Sequence, residues 1–333
     1  MRISPDYVGE MPTAQIEMFS IGYYNYASGE SKWQYIGSPV SENISAKSAF
    51  PKSLVYSWHE DIGEWVNDRS KLKLQPFVGY ITSQPGMAEG RKISFNGHLV
   101  DGREEIEVPL SYTPGSPEAG LNVLANSFAA PIDISRLEVS DFPAEADATI
   151  NLFNTGSNAD IAGREGEDVD VDAAGQYISI PVGNASYWAS HAGYPIVIPS
   201  MQGFYVTTRV AGNLRLNYEK LIWNADYSTH PNKPLRVQAR NAENDEISGA
   251  LQITLSSVAG SDKVNLLESE SYSTSYENGF DARKIMSGEN NIFTIEDEDI
   301  LAADATSSIV GTRIGVRTGE QTMYDFRFSR IEG

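Results

Sequence analysis

The densest group of residues that could hold a metal ion is an acidic stretch, REGEDVDVDAAG, in the middle of the 333-residue chain. Five carboxylates lie within eight residues there: Glu165, Glu167, Asp168, Asp170 and Asp172. Calcium binds several hard oxygen ligands on a flexible loop, so these five residues are the candidate calcium ligands. Ala173 stands where a calcium loop needs glycine, and Ser179 stands where it needs a closing glutamate. A solvated insertion is therefore the favoured interpretation of the stretch, with calcium binding as the alternative.

A second candidate chemistry is carbohydrate binding by aromatic side chains. Aromatic rings stack on the apolar faces of sugars while neighbouring polar groups bind the hydroxyls. The segment GNASYWASHAGYP, predicted to be a loop, contains Tyr187, Trp188 and Tyr194. Loops on a rigid β-scaffold often carry binding residues, so these three are the candidate glycan ligands. For any one of these rings, filling of a core or covering of a sheet edge is the favoured role, with glycan binding as the alternative.

No constellation of catalytic residues is recognisable. The four histidines are His59, His98, His191 and His230. No two of them are two or four residues apart, so no single strand or helix pairs them as metal ligands. The chain also has no cysteine, no Gly-x-Ser-x-Gly elbow and no glycine-rich phosphate loop. No catalytic residue is predicted, although a pair of carboxylates, as in a glycoside hydrolase, would leave no sequence signature.

The composition narrows the classes of partner. The formal net charge is −20, with 45 acidic against 25 basic residues, so nucleic acid is not expected as a partner. No apolar stretch approaches the length of a membrane span, so no membrane insertion is predicted.

The first ten residues lack the features of a signal peptide. The last strand-like segment, TMYDFRFSRI, stops two residues before the C-terminus, so the sequence is expected to be truncated at both ends.

The elements that position these residues are predicted to be β-strands. Apolar and polar residues alternate in most segments, for example Ile178, Ile180 and Val182 in GQYISIPV. This is the pattern of a strand with one buried face. Turn residues separate the segments at short spacing, as in β-sandwiches and jelly rolls. Short helical turns are expected near SWHEDIGEWV and EDEDILAADA.

The chain contains an internal repeat. The segment Trp33–Val40 aligns with Leu121–Phe128 at an offset of 88, and Gly79-Tyr80 aligns with Gly203-Phe204 at an offset of 124. The second copy therefore holds about 36 additional residues, part of which is the acidic stretch. In each copy, the glycine before the aromatic residue is predicted to allow close approach of another backbone or a bulge.

These patterns predict an all-β protein with two related β-sandwich or jelly-roll-like units and a C-terminal β-sandwich domain. The first unit is predicted to span residues 1–115 and the second, with its acidic insertion, residues 116–232. The C-terminal domain is predicted at residues 233–333, because the character of the sequence changes after Lys233-Pro234.

Six segments together resemble a recurrent β-rich region of large surface or secreted proteins of the Bacteroidetes. They are KWQYIGSPV, GLNVLANSFAAPIDI, LFNTGS, GQYISIPV, IPSMQGFYV and SYENGFDARK. The positions that match the pattern of this family are Ala125–Phe128 with Ile132-Asp133, Gln202–Phe204, and Tyr276–Asp281. The first match departs from the usual Gly-Asn-Pro, because alanine and serine flank Asn126. The resemblance covers most of the chain from Trp33 onward.

The resemblance implies an extracellular or outer-surface location, export associated with type IX secretion, and no assigned catalytic residues. We therefore predict a non-catalytic structural or adhesive module of a bacterial surface or secreted protein, whose partner is a glycan or another surface protein. The first alternative is a carbohydrate-binding module of a polysaccharide-handling protein. The second is a glycoside hydrolase-like enzyme whose carboxylate pair the sequence does not reveal. No cofactor is predicted beyond calcium at the acidic stretch.

Overall fold

The computed structural model shows an all-β protein. It describes residues 7–27, 31–67, 70–85, 91–154, 176–222, 247–258, 260–320 and 323–332. The strands lie in several sheets and the helices are few and short. This confirms the fold class that the alternation of apolar and polar residues predicts.

In the described residues, the first unit contains ten strands. They are β1 (Thr13–Ser20), β2 (Tyr23–Tyr24), β3 (Ser31–Lys32), β4 (Gln34–Ile36), β5 (Ile44–Ser45), β6 (Leu54–His59), β7 (Glu64–Val66), β8 (Lys73–Leu74), β9 (Tyr80–Pro85) and β10 (Arg91–His98). One sheet has the order β3-β2-β9-β6-β7, with β4 also paired to β9, while β1 pairs with β10 and β5 pairs with β8. A short helix, α1 (Ala46–Ala49), follows β5.

The described part of the second unit contains eight strands. They are β11 (Ile106–Leu110), β12 (Leu121–Ala125), β13 (Ile132–Asp133), β14 (Thr149–Phe153), β15 (Tyr177–Pro181), β16 (Val197–Ile198), β17 (Gly203–Thr207) and β18 (Gly212–Leu216). One sheet has the order β12-β17-β14-β15, while β11 pairs with β18 and β13 pairs with β16. The helices of this unit are α2 (Ala185–Ala192), α3 (Tyr218–Leu221) and the 3-10 helices Ile134–Arg136, Val139–Asp141 and Val182–Asn184.

Equivalent strands of the two units pair in the same register. Ile36 on β4 lies opposite Tyr80 on β9, and Leu124 on β12 lies opposite Phe204 on β17. Adding the offset of 88 to Ile36 gives Leu124, and adding the offset of 124 to Tyr80 gives Phe204, so the repeat in the sequence relates the first pair to the second. The strand orders β4-β9-β6-β7 and β12-β17-β14-β15 are likewise equivalent. The repeat in the sequence is therefore a repeat of one strand arrangement.

The two units contact each other through equivalent strands in a reciprocal way. Ile36 of the first unit forms an antiparallel bridge with Gln202 of the second. Leu124 of the second unit forms the equivalent bridge with Val78 of the first. Because each contact maps onto the other when the units are exchanged, the pair has an approximate twofold relationship.

The glycines that precede the aromatic residues lie at this contact between units. A Cβ atom on Gly79 would lie 2.5 Å from the carbonyl oxygen of Leu124, and one on Gly203 would lie 2.8 Å from the Cβ atom of Tyr35. Both distances are shorter than a side chain tolerates, so the absence of a Cβ atom allows the facing strands to approach. The close backbone approach predicted for both glycines is confirmed.

The described C-terminal strands form one seven-stranded sheet. They are β19 (Gly249–Ser257), β20 (Gly260–Glu268), β21 (Ala282–Arg283), β22 (Asn291–Glu296), β23 (Asp299–Thr306), β24 (Arg313–Arg317) and β25 (Asp325–Glu332). The order is β24-β22-β23-β20-β19-β25, with β21 paired to β23, and β20 and β23 run parallel. The prediction that this part forms a β-sandwich stays a prediction.

Each of the three parts has an apolar core. The core of the first unit includes Ile36, Val55, Tyr80, Ile93 and Phe95. The core of the second unit includes Ile132, Ile150, Ile180, Phe204 and Leu214. The core of the C-terminal sheet consists of Ile253, Leu255, Val264, Leu266 and Ile292. Burial of these side chains is the main stabilising contribution to each part.

Three local predictions are wrong. The two segments expected to form helical turns are strand hairpins, β6–β7 and β22–β23. In the second hairpin the acidic residues form the turn, where Asp297 has a φ of 46°. The segment 185–192, predicted as a loop, is the helix α2, and Gly193 ends it with a left-handed φ of 68°. Such a glycine is the most common helix terminator, because it has no Cβ atom to clash.

The predicted unit boundaries at 115/116 and 232/233 stay predictions. Strand β11 lies before the first boundary but pairs with β18 of the second unit, just as β1 pairs with β10 in the first. The second boundary lies outside the described residues, which resume at residue 247.

Candidate functional site

A cluster of aromatic side chains, some buried and others partly exposed, extends over both units on the sheet faces that point away from their cores, and Ile285 of the C-terminal part packs against it. We call it the aromatic face. It consists of Trp33, Tyr35, Tyr56, Trp58, Trp65, Phe153, Tyr177 and Tyr205. Alternation explains its position: Ile36 and Tyr80 face the core of the first unit, so their neighbour Tyr35 points to the opposite side.

Equivalent hairpins place equivalent aromatic pairs on this face. Trp58 on β6 lies opposite Trp65 on β7, and Phe153 on β14 lies opposite Tyr177 on β15. The ring centroids are 5.4 Å apart at 61° in the first pair and 5.3 Å apart at 63° in the second. Both are edge-to-face contacts, which aromatic pairs favour. The repeat therefore duplicates an aromatic pair as well as a strand arrangement.

Three tyrosines connect the two units at the centre of the aromatic face. The hydroxyls of Tyr35 and Tyr177 are 3.1 Å apart, and the Tyr177 hydroxyl donates a hydrogen bond of 3.1 Å to the Tyr205 hydroxyl. Burial raises the pKa of all three phenols above the usual value. They therefore stay protonated at neutral pH, which suits hydrogen bonding and packing and not general base chemistry.

Tryptophans of the first unit form the more accessible part of the aromatic face. Trp33 packs edge-to-face against Tyr56 with ring centroids 5.4 Å apart. Both side chains are partly exposed, as are Trp58 and Trp65. The indole N–H of Trp58 donates a hydrogen bond of 2.6 Å to the carbonyl oxygen of Leu121 in the second unit. The rings are thus held in fixed orientations, which lowers the entropic cost of binding a ligand.

The three candidate glycan ligands come together, but at a packing contact. Tyr187 and Trp188 lie on α2 and are 7% and 1% exposed. They pack in one apolar cluster with residues of the C-terminal sheet such as Leu267. The Asn265 amide donates a hydrogen bond of 2.6 Å to the Tyr194 hydroxyl, and burial raises the pKa of Tyr194 to about 12. The rings thus join the second unit to the C-terminal sheet, and glycan binding by them stays a prediction.

The five candidate calcium ligands lie outside the described residues, so calcium binding there stays a prediction. They are Glu165, Glu167, Asp168, Asp170 and Asp172. Elsewhere, the described residues contain no group of three or more His, Asp or Glu side chains arranged around a common metal position.

The asparagine in the first family-like segment has a structural role. Asn126 is fully buried, and its side-chain amide donates hydrogen bonds of 2.9 Å to the carbonyl of Ala130 and 2.8 Å to that of Ile198. Its side-chain oxygen accepts a hydrogen bond of 3.0 Å from the backbone N–H of Phe128. The amide therefore holds the sharp bend between β12 and β13, because buried polar groups need partners.

The family-like segment 276–281 attaches the C-terminal sheet to the second unit. The Asn278 side chain donates a hydrogen bond of 2.9 Å to the carbonyl of Ala146 and accepts one of 2.8 Å from the N–H of Ala148. The carbonyl of Gly279 accepts a hydrogen bond of 2.8 Å from the N–H of Gly183. These contacts hold the segment against two parts of the second unit that are far apart in sequence.

An ion-pair network strengthens the same attachment. The carboxylate of Asp147 in the second unit contacts the Arg283 guanidinium and accepts a hydrogen bond of 2.9 Å from the Tyr276 hydroxyl. The guanidinium also donates a hydrogen bond of 2.9 Å to Asp299 and lies 3.6 Å from the centre of the Tyr276 ring. Ion pairs that are partly buried and cross-linked in this way are stronger than isolated surface pairs.

Comparison with known proteins finds a fimbrial relative. The chain is similar to the minor fimbrium subunit Mfa5 of Porphyromonas gingivalis, a Bacteroidetes species, with 28% identity over 286 residues. The match covers 81% of this chain and 22% of the relative, so the chain spans less than a quarter of that protein. No protein-family model and no solved structure matches.

The relative supports the resemblance to Bacteroidetes surface proteins at a coarse level. The connection with type IX secretion stays a prediction. None of the described helices has the length and apolar character that crossing a membrane requires.

Proposed function

We propose that the chain is a non-catalytic adhesive module at the outer surface of a bacterial cell, and that the aromatic face is its binding surface. The similarity to a fimbrium subunit supports the surface location and the absence of catalysis. The observation that carries the binding role is the pair of equivalent aromatic hairpins, held in fixed orientations across two units. Aromatic and well-packed surfaces of this kind dominate protein binding energetics.

The partner that fits the aromatic face is a glycan or another surface protein. Partly exposed tryptophans such as Trp33 offer ring faces and edges to apolar sugar surfaces, which favours a carbohydrate-binding module. The same rings also suit an extended protein segment, since aromatic residues are enriched at protein interfaces. The enzyme alternative gains no support from the relative, whose name describes a fimbrial subunit.

A glycan array with matched variants tests this proposal. Trp33→Ala/Tyr56→Ala removes two partly exposed rings of the aromatic face, while Phe19→Ala/Tyr26→Ala removes two exposed rings elsewhere in the first unit. Two stacked rings contribute about 1–3 kcal/mol, so the first variant should bind a recognised glycan roughly 5- to 150-fold more weakly. The second variant should bind like the wild type.

If the wild-type chain binds no glycan on the array, the wild type and the same two variants are tested for capture of surface proteins from the source bacterium. Loss of capture in Trp33→Ala/Tyr56→Ala alone would support a protein partner. Equal binding by both variants, whatever the ligand, would refute the aromatic face as the binding surface.

A further inference from the structure

One region of the first unit carries exposed basic side chains and no acidic ones. Its segments, residues 43–59, 70–85 and 91–100, contain no Asp or Glu, although 45 of the 333 residues of the chain are acidic. The same segments supply Lys47, Lys52, Lys71, Lys73 and Arg91, which we call the basic patch. In a protein with a net charge of −20, such a group reverses the sign of the surface charge locally.

Helix α1 and the strands beside it bring three of these lysines together. Lys73 lies opposite Ser45 in the pairing of β5 with β8. The N–H of Ala46 donates a hydrogen bond of 3.0 Å to the carbonyl of the residue between Lys71 and Lys73. These two lysines therefore flank the start of α1, whose single turn carries Lys47.

The chain after α1 adds the other two members of the basic patch. Lys52 lies in the turn that follows, with a left-handed φ of 64°. The Arg91 guanidinium, at the start of β10, donates a hydrogen bond of 3.0 Å to the carbonyl of Pro51. The rings of Phe50 and Phe95 pack with centroids 6.1 Å apart, which holds β10 against the end of α1. The patch is thus supported by the apolar core of the first unit.

The four lysines of the basic patch are available to a ligand. All of them are exposed, and none takes part in an ion pair with another described residue. The carboxylates of Glu17 and Glu42, on other parts of the unit, pair with Lys92 and His98. Like charges that are close together repel each other, so a bound anion relieves this repulsion.

The basic patch borders the aromatic face. Lys52 precedes Tyr56 of β6 by four residues, so their Cα atoms lie within about 13 Å of each other. Trp33 packs edge-to-face against Tyr56 on the aromatic face. One extended ligand can therefore contact the partly exposed rings and the lysines at the same time.

We propose that the ligand of the aromatic face is an anionic polysaccharide. Its sugar rings stack on Trp33 and Tyr56, and its carboxylate or sulfate groups bind the lysines of the basic patch. A lysine ammonium is a mobile point charge with three donors, so it suits either kind of anion. This inference rests on the proposed function, to which it adds the chemical class of the ligand.

The charge of the whole chain favours a narrow, flexible anion. The chain outside the basic patch is strongly acidic, so a DNA duplex, an anionic membrane or a large acidic protein would bring negative charge against a repelling surface. A single polysaccharide chain can follow the patch and the rings without covering the acidic remainder. It also presents the apolar sugar faces that aromatic rings bind.

Isothermal titration of the full chain with two matched pairs of polysaccharides tests the inference. Polygalacturonate and its methyl ester differ in carboxylate charge, and dextran sulfate and dextran differ in sulfate charge. The wild type should bind one charged member at least about tenfold more tightly than its neutral counterpart. Added salt should weaken this binding, because it screens exposed charges. The pair that responds identifies the anionic group.

A lysine variant and a matched control locate the binding. Lys47→Gln/Lys52→Asn/Lys73→Gln removes three exposed charges, and asparagine tolerates the left-handed φ at position 52. This variant should bind the charged polysaccharide roughly 3- to 150-fold more weakly and unfold at the same temperature as the wild type. Arg313→Gln/Arg317→Gln removes two exposed charges from β24 and should bind like the wild type.

Trp33→Ala/Tyr56→Ala separates this inference from the proposed function. It should also weaken binding of the charged polysaccharide, because the same ligand contacts both rings. The inference is overturned if neither charged polysaccharide binds more tightly than its neutral counterpart, or if the lysine variant binds like the wild type. The aromatic face then still stands on its own glycan test.

Two further outcomes would also overturn the inference. If the lysine variant loses binding and Trp33→Ala/Tyr56→Ala does not, the rings and the basic patch do not share a ligand, and the proposed function fails as well. If the wild type binds neither polysaccharide but captures an acidic surface protein that the lysine variant does not capture, the partner of the basic patch is a protein.

Discussion

Glu60 offers the sharpest test of how the two units are joined. It lies in the turn between β6 and β7 of the first unit and is largely buried. Its Oε1 atom accepts hydrogen bonds from the backbone N–H of Thr113, at 2.8 Å, and of Gly120, at 2.7 Å. Its Oε2 atom accepts one of 2.8 Å from the Thr113 hydroxyl. The carboxylate thus fixes the segment that leads into β12.

Glu60→Ala leaves all three donors without this acceptor. Hydrogen bonds to charged groups contribute about 1.5–3 kcal/mol each. Because donors near the surface regain some water, we expect a total loss of roughly 3–5 kcal/mol in the free energy of unfolding. Glu60→Gln keeps one acceptor oxygen but loses the charge and one hydrogen bond, so its cost should be roughly 1–2 kcal/mol. Glu64→Gln, exposed on β7, is the control and should change little.

The pH dependence gives an independent check. Burial by itself raises the pKa of Glu60, but the hydrogen bonds from Gly120 and Thr113 outweigh it and hold the pKa below the usual value. A lowered pKa in the folded state means that the stabilisation is fully present above the pKa of the unfolded chain and is lost as pH falls through the folded value. The stability difference between the wild type and Glu60→Gln should therefore be present at pH 7 and shrink under acidic conditions.

Urea unfolding followed by tryptophan fluorescence measures these differences, because Trp58 and Trp65 lie on the two strands beside the turn. The reasoning is refuted if Glu60→Ala is as stable as Glu64→Gln at pH 7. It is also refuted if the deficit of Glu60→Gln persists unchanged at a pH well below the folded pKa of Glu60.

Three further changes probe the contacts between the parts. Gly79→Ala should lower the free energy of unfolding by about 1–3 kcal/mol, because its new methyl group meets the facing carbonyl of β12. Thermal unfolding measures this against a Gly249→Ala control, whose methyl group would come no closer than 3.7 Å to another atom. Asn278→Ala should lower the free energy of unfolding by roughly 2–4 kcal/mol, because it leaves two backbone groups without a hydrogen-bond partner. Limited proteolysis should then show that the C-terminal sheet is released before the second unit unfolds. Tyr177→Phe removes the hydrogen bonds of the Tyr177 hydroxyl but keeps the packing of the ring. Urea unfolding should show a free energy of unfolding that is about 0.5–1.5 kcal/mol lower than that of the wild type.

The strand content and the repeat were readable from local patterns. Alternation of apolar and polar residues has a period that a strand alone produces, so the fold class followed directly. The two offsets also anticipated that the units are equivalent, and the structure shows it in the equivalent strand pairs Ile36–Tyr80 and Leu124–Phe204. Even the close approach at Gly79 and Gly203 was predictable, since only the lack of a Cβ atom gives a glycine such a role there.

The helical segments show where local patterns are ambiguous. The acidic residues before Ile300 suit both a helix N-terminus and a hairpin turn, and pairing of β22 with β23 selected the hairpin. The segment 185–192 has the small and aromatic residues of a loop, but a terminating Gly193 and packing of Trp188 against the C-terminal sheet favour a helix. Short elements have weak intrinsic preferences, so tertiary contacts override them.

The aromatic face and the carboxylate of Asp304 could not be located from the sequence. Spacings such as Trp33-x-Tyr35 and Tyr56-x-Trp58 show that the rings share a strand face, but not that the faces of two units merge. In the same way, the segment ILAADAT, part of which was expected to form a helical turn, does not show that pairing of its strand with β20 brings the buried Asp304 beside the core residue Leu266. Alternation along a strand determines which residues lie on the same side, while contacts between residues far apart in the chain determine what covers that side.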